Sequence, residues 1–126
     1  MKYNLKHYSY IGDCVWELFV REHVINRAQN LKEMHLLTTK FVRAEFQADL
    51  INKIIDKLTP DELDIQHRSR NLKMTINKKS NPKVHSLATS FEGLIGYLYL
   101  ENKQRLNEVF EYFDKTLDEI NKLRKN

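Results

Sequence analysis

The sequence predicts an all-α fold, and three observations support this class. The 126 residues include only three glycines and two prolines, so few positions interrupt a helix. Apolar residues recur at spacings of three and four along most of the chain, as they do on one face of a helix. Helix start signals precede several of these stretches. A chain of this length fits one domain, and we expect residues 1–126 to form it.

The first helix is predicted from Tyr8 to Val24. It carries apolar residues on nearly every side, so we expect it to run through the core. These residues are Tyr10, Ile11, Cys14, Val15, Trp16, Leu18, Phe19 and Val20. Cys14 is therefore interpreted as a core residue rather than as a nucleophile.

Two further helices are predicted in the first half of the chain. Asn30 is a suitable N-cap for a long helix, and the apolar spacing continues without interruption to about Lys57. Thr59 and Glu62 then form a capping-box signature, which opens a short helix that ends near Asn71.

The second half of the chain is predicted to contain a loop and two helices. The segment from Thr75 to Pro82 is polar and lacks helical periodicity, which indicates a loop. The spacing predicts a second core helix from Lys83 to Leu100 and an amphipathic final helix from Asn102 to Leu123. No apolar run reaches the roughly 18 residues of a membrane span, so no contact with a membrane is expected.

Cysteine usage indicates the cellular compartment. Cys14 is the only cysteine, which excludes an intramolecular disulfide and a cysteine-rich zinc module. The N-terminus also lacks the apolar segment of a secretory signal. We therefore expect a protein of the bacterial cytoplasm or of an organelle interior.

Excess positive charge is concentrated in one segment. The net charge is only +4, but no aspartate or glutamate occurs from Ile65 to Phe91. The basic residues of this segment are Arg68, Arg70, Lys73, Lys78, Lys79 and Lys83. A localised basic patch suits a polyanion such as nucleic acid, and a solvated lysine-rich loop has the same composition. Charge alone leaves both interpretations open.

Asp13 and Glu92 lie in helices that are otherwise apolar. A buried carboxylate is costly unless it is paired, hydrogen-bonded or bound to a metal, so each acid needs a partner. Thr89 and Gly96 are small residues one turn either side of Glu92, which lets another helix approach this carboxylate. If the helix of Asp13 packs there, two carboxylates converge as ligands of Mg²⁺ do.

Each acid also has a purely structural explanation. Asp13 can stabilise the first turn of its helix through the helix dipole. Glu92 can pair with a basic residue such as Arg70. Spacing alone does not choose between these explanations and a metal site.

Several segments resemble the ribonuclease III family. The segment YIGDCVWELFVR at residues 10–21 resembles the family's signature helix, and FEGLIGYLYL at residues 91–100 resembles its second metal-binding helix. Between them, VRAEFQA at residues 42–48 and RSRNLK at residues 68–73 are similar to segments of the Mini-III subgroup. That subgroup lacks the separate double-stranded-RNA-binding domain. The resemblance covers nearly the whole chain in the right order.

The resemblance implies a fold and a reaction. It implies the helical bundle of the ribonuclease III endonuclease domain, with Asp13 and Glu92 matching the catalytic acids that bind the metal. Larger members carry two further acids at the positions of Ser9 and Thr89, and Mini-III relatives resemble this chain in lacking both. The implied cofactor is Mg²⁺, for which Mn²⁺ can substitute. The implied reaction is phosphodiester hydrolysis in double-stranded RNA that leaves 5′-phosphates.

The resemblance also implies partners. They are double-stranded RNA, specifically the precursor of large-subunit (23S) ribosomal RNA, and a second copy of the chain in a homodimer. A ribosomal protein on the substrate is a further expected partner. Ser69 and Leu72 depart from the smaller residues of the subgroup's RNA-binding segment. The expected RNA-binding residues are Arg68, Arg70, Asn71 and Lys73 of that segment, together with Lys78 and Lys79 of the basic loop that follows it.

Two other functions fit parts of the sequence. A catalytically silent RNA-binding protein of the same fold would bind a duplex without cutting it. A helical interaction protein would use the helix from Asn102 to Leu123 as a docking face, but this function leaves both Asp13 and Glu92 unexplained. A metal-dependent endoribonuclease accounts for the acids and for the basic segment together.

Overall fold

The computed structural model of the chain describes residues 2–72 and 81–125, with side chains up to residue 118. This part of the chain forms six α-helices and no strand, which confirms the predicted all-α class. The loop predicted from Thr75 to Pro82 lies almost entirely outside the described residues. None of the described helices is long and apolar enough to span a membrane. The helices are α1 (Leu5–Ile25), α2 (Leu31–Val42), α3 (Ala44–Ile54), α4 (Pro60–Arg70), α5 (Pro82–Glu101) and α6 (Lys103–Lys125).

Helices α1 and α5 cross at the centre of the molecule, and two glycines set their separation. A Cβ on Gly12 would overlap the backbone carbonyl of Glu92, and a Cβ on Gly96 would overlap that of Tyr8. The two helix backbones are therefore in direct contact, which only glycine permits.

Aromatic side chains fill the core beside this crossing. Trp16 is fully buried, and its ring meets Phe91 and Phe113 edge-on at centroid distances of 4.9 and 5.3 Å. The Trp16 indole N–H donates a hydrogen bond of 2.9 Å to the backbone oxygen of Phe41. A buried indole is thereby satisfied, and α1 is joined to both α2 and α5.

The outer face of α1 differs from the prediction. Tyr10 and Leu18 are 83% and 57% exposed, and Cys14 between them is also exposed. The prediction that α1 is embedded on all sides is wrong, as is the interpretation of Cys14 as a core residue. The reason is that α2, α4 and α5 contact α1 without covering the side that carries these three residues.

The prediction of one long helix from Asn30 to Lys57 is also wrong, because the helix is interrupted at Arg43. That residue is extended, with φ −65° and ψ 150°, and it separates α2 from α3. A 3₁₀ turn, Ile55–Lys57, follows α3. The break frees the carbonyls of Phe41 and Val42, which accept hydrogen bonds from Trp16 and from the Gln47 amide. Tertiary contacts thus replace the helical bonds that the break removes.

The predicted capping box at the start of α4 is confirmed. The Thr59 hydroxyl accepts from the Glu62 amide at 3.2 Å, and the Glu62 carboxylate accepts from the Thr59 amide at 2.9 Å. Arg105 of α6 donates to both oxygens of the same carboxylate, at 2.9 and 3.1 Å. Burial raises the pKa of Glu62, but the hydrogen bonds from Arg105 and Thr59 outweigh it and hold that pKa below its usual value. The start of α4 is thereby fixed to α6.

Candidate active site

The carboxylates of Asp13 and Glu92 meet where α1 crosses α5. Gly12 packs on the backbone of Glu92 itself, so the next residue of α1, Asp13, lies beside the Glu92 side chain and is hydrogen-bonded to it. Asp13 is exposed and Glu92 is partly buried. The pair opens into a cleft of about 430 Å³ lined by Lys6, His7, Ser9, Tyr10, Asp13 and Glu92.

The negative charge of each carboxyl group disfavours ionisation of the other. Burial, together with the hydrogen bond and the negative charge of Asp13, raises the pKa of Glu92 to about 9. At neutral pH the pair therefore holds a proton when no cation is present. A bound cation would replace that proton.

The structural explanations for these acids do not apply. In the part of the chain with described side chains, neither Asp13 nor Glu92 forms an ion pair with a lysine or arginine, so Arg70 is not the partner of Glu92. Helix α1 begins at Leu5 rather than at Tyr8. Asp13 is thus in the third turn, beyond the reach of the helix dipole.

The donor set fits Mg²⁺. This ion is usually held by one or two carboxylates, keeps several waters and takes substrate phosphate oxygens as further ligands. Asp13 and Glu92 are two such carboxylates in an open cleft. Within residues 2–72 and 81–118 there is no cluster of three or more aspartate, glutamate, histidine or cysteine side chains, so the described chain could offer a metal ion two acids at this site.

Ser9 and Thr89 lie next to the acids but direct their hydroxyl hydrogens elsewhere. The Ser9 hydroxyl donates to the backbone oxygen of Thr89 at 3.3 Å, and the Thr89 hydroxyl donates to the backbone oxygen of His85 at 2.9 Å. Both side chains are buried. Their role is to pack α1 against α5, and neither adds a negative charge to the site.

The C-terminal end of α4 lies beside the same crossing. Ser69 is fully buried, and a Cβ on Gly93 would meet its hydroxyl at 2.5 Å, so α4 packs on α5 one residue from Glu92. This contact shows why a small residue is needed at position 69. Arg70 and Asn71 are exposed at that end.

The remaining predicted RNA-binding residues are distributed differently. Arg68 lines a second cleft of about 460 Å³ together with Asn4, Leu5, Lys6 and Leu72. Lys73, Lys78 and Lys79 lie outside the described residues. The structure thus places Arg68, Arg70 and Asn71 at the α4 end that packs on α5 through Ser69, and it gives no position for the three lysines.

Sequence reasoning missed three residues that line the acid cleft. Lys6 and His7 lie seven and six residues before Asp13, which is two turns earlier on α1. Their spacing was a usable signal, but the predicted helix began too late to include them. Tyr10 was assigned to the core, and it instead projects from the edge of the cleft.

Comparison with known proteins identifies the family. The sequence model of the Ribonuclease III domain matches residues 6–103. The chain is 38% identical over 112 residues to the Mini-ribonuclease 3 of Gloeobacter violaceus, with 89% of this chain and 83% of the relative covered. The Mini-ribonuclease 3 of Desulfitobacterium hafniense is 38% identical over 113 residues, which cover 88% of this chain and 72% of the relative. This chain belongs to the ribonuclease III family, in its Mini-ribonuclease 3 group.

The membership confirms the predicted family, and it makes the chain an endoribonuclease. Ribonuclease III enzymes act on double-stranded RNA and generally depend on divalent metal ions. The fold of this chain also has a solved counterpart, a crystal structure of a protein from Fusobacterium nucleatum. It superposes with a TM-score of 0.81 over 91% of this chain and 94% of the other, at 24% identity. That likeness concerns the fold alone.

Proposed function

We propose that this chain hydrolyses phosphodiester bonds of double-stranded RNA with Mg²⁺ held by Asp13 and Glu92. The observation that carries the proposal is the pair of touching carboxylates in an open cleft, with no lysine or arginine paired to either in the described part of the chain. Such a pair is electrostatically unfavourable by itself, and a divalent cation relieves it. Mn²⁺ can take the same ligands.

The chain's own residues hold and orient the reacting groups. When bound, Mg²⁺ would act as a Lewis acid on the scissile phosphate and lower the pKa of a coordinated water. Asp13 and Glu92 would fix the ion at the edge of the α1–α5 crossing, on two helices rather than on loops. The products we propose have a 5′-phosphate and a 3′-hydroxyl.

Basic residues beside the acids are proposed to bind the RNA backbone. Double-stranded RNA is recognised mainly through its shape, its phosphates and its 2′-hydroxyls. The exposed end of α4, with Arg68, Arg70 and Asn71, is adjacent to Glu92 through the contact of Ser69 with α5. We assign phosphate contacts to this end, to Lys73 by the resemblance, and to Lys78 and Lys79 because they belong to the basic segment.

We also propose that the enzyme is a homodimer formed through the outer face of α1. Tyr10, Cys14 and Leu18 make an exposed, mainly apolar stripe on this face. The stripe continues into an apolar groove of about 290 Å³ between α1 and α6, which Leu18 and Phe110 help to line. A protruding aromatic side chain and a groove on one surface allow a self-complementary two-fold contact. Because Tyr10 also borders the acid cleft, the contact would bring the two cleavage sites of the dimer together.

The natural substrate we propose is the precursor of 23S ribosomal RNA, with a ribosomal protein on the substrate as a helper. This proposal rests on the resemblance to the Mini-III subgroup.

The experiment measures cleavage of a labelled duplex from precursor 23S RNA with Mg²⁺ and with chelator. Asp13→Asn and Glu92→Gln are compared with Glu17→Gln, which removes an acid one turn further along α1 that pairs with Arg21 at 3.3 Å. We expect Mg²⁺-dependent cutting that falls at least about 1,000-fold in both site variants and is retained in the control. If the wild type binds the duplex but does not cut it with any metal, the protein is a catalytically silent RNA-binding protein and not a nuclease.

A further inference from the structure

The acid cleft continues into a second cleft through one lysine. Lys6 lines both the cleft of about 430 Å³ that holds Asp13 and Glu92 and the cleft of about 460 Å³ that contains Arg68. His7, the next residue of α1, also lines the acid cleft. A continuous surface thus runs from the acids across the start of α1 to α4.

We propose that Lys6, His7 and Arg68 form a phosphate-binding track that holds one RNA strand on its approach to the acid pair. The proposal deepens the proposed function and rests on it. It assigns substrate contacts to Lys6 and His7, which lie outside the basic segment from Ile65 to Phe91.

The spacing suits two phosphates that lie a few nucleotides apart on one strand. Lys6 precedes Asp13 by seven residues on a continuous helix, a separation of about 10 Å along its axis. That length corresponds to a few nucleotide steps of a strand. Lys6 can therefore contact a phosphate near the scissile one while the acids hold the reaction centre.

The polar groups of the track are available for a ligand. Within the described side chains, Lys6 forms no ion pair and the imidazole of His7 forms no hydrogen bond. Arg68 has one contact of 3.5 Å with the exposed Asp64, an i,i+4 surface pair that contributes little to stability. The Tyr3 ring meets the His7 ring edge-on at 6.2 Å, and His7 lines the acid cleft together with Lys6.

The folded state does not require a lysine at position 6. Helix α1 is capped by Asn4, whose side chain accepts from the His7 amide at 3.1 Å, and its first turn holds no acidic residue. A cation in the first turn opposes the helix dipole. Lys6 is also exposed, so it adds no buried surface to the core. Phosphate binding accounts for a placement that helix stability disfavours.

The test measures duplex RNA affinity in chelator, where cutting is absent, from about 50 to 200 mM salt. Lys6→Ala and Arg68→Ala are compared with the wild type and with Lys115→Ala. Lys115 is an exposed lysine of α6 next to Asp114, which contacts His23 near the other end of α1 at 2.6 Å. It therefore controls for the loss of one surface charge far from the cleft.

We expect Lys6→Ala and Arg68→Ala each to weaken binding about tenfold at 0.1 M salt and to reduce the salt slope by about one. His7→Ala should weaken binding with a smaller change of slope, and Lys115→Ala should match the wild type. Wild-type affinity and slope in Lys6→Ala, in an enzyme that still cuts with Mg²⁺, would overturn the track and leave the proposed function intact. A wild type that neither binds nor cuts the duplex would overturn both.

Discussion

The ionisation of Glu92 is strongly coupled to folding. Its pKa of about 9 in the native protein, against 4.5 in an unperturbed chain, means that unfolding releases a proton at any pH between these values. The free energy of unfolding of the metal-free protein must therefore fall as the pH rises through this range. The slope for one group is at most about 1.4 kcal/mol per pH unit.

One substitution should remove this decline of the free energy of unfolding with rising pH. Glu92→Gln keeps a neutral side chain that can still hydrogen-bond to Asp13, so its stability should lack the alkaline decline. We expect the variant to be more stable than the wild type at pH 8, measured by urea unfolding in chelator. Glu17→Gln serves as the control and should follow the wild type. Parallel pH profiles for Glu92→Gln and the wild type would contradict the raised pKa.

At the scale of the helices, the α1–α5 contact depends on the absence of a side chain at position 12. Gly12→Ala would place a methyl group on the carbonyl of Glu92, so α1 must move away from α5. We expect a loss of stability of about 3 kcal/mol and a loss of nuclease activity larger than the unfolded fraction explains. Leu36→Ala, at a position that is 62% exposed on α2 and outside both the cleft and the α1 stripe, should leave thermal unfolding and cleavage unchanged.

The helices also show what a sequence can and cannot predict. The capping box of Thr59 and Glu62 was predictable because all its partners lie within four residues. The break at Arg43 was not, because the apolar spacing is the same on both sides of it. It is stabilised partly by Trp16, which is distant in the chain. Local signals thus identified the starts of α2 and α4, and tertiary contacts decided where the predicted long helix is interrupted.

The convergence of Asp13 and Glu92 was predictable for a related reason. The small residues around Glu92 indicated where a second helix could approach, and Gly96 now lies at the crossing. The outer face of α1 was not predictable from a single chain. An exposed apolar stripe and a buried one have the same periodicity, and only the packing of the other helices tells them apart.

For the molecule as a whole, the exposed stripe of Tyr10, Cys14 and Leu18 on α1 predicts a homodimer. Leu18→Glu puts a charge into the proposed dimer contact, so we expect monomers by light scattering and a lower cleavage rate at equal chain concentration. Leu36→Glu is the matched control, since Leu36 is 62% exposed on α2 and does not line the groove. Dimers of unchanged affinity in Leu18→Glu would place the interface on another surface.

The contact of Gly12 with the backbone of Glu92 has a consequence for how this enzyme can lose its activity over generations. A side chain at position 12 would disturb the proposed cleavage site and the packing of the core together. Such a change would therefore unfold the protein and not merely abolish its activity. Under the proposed function, replacing Asp13, which is exposed, would remove the chemistry at little cost to the fold. A silenced descendant should therefore keep both crossing glycines and differ at the acids.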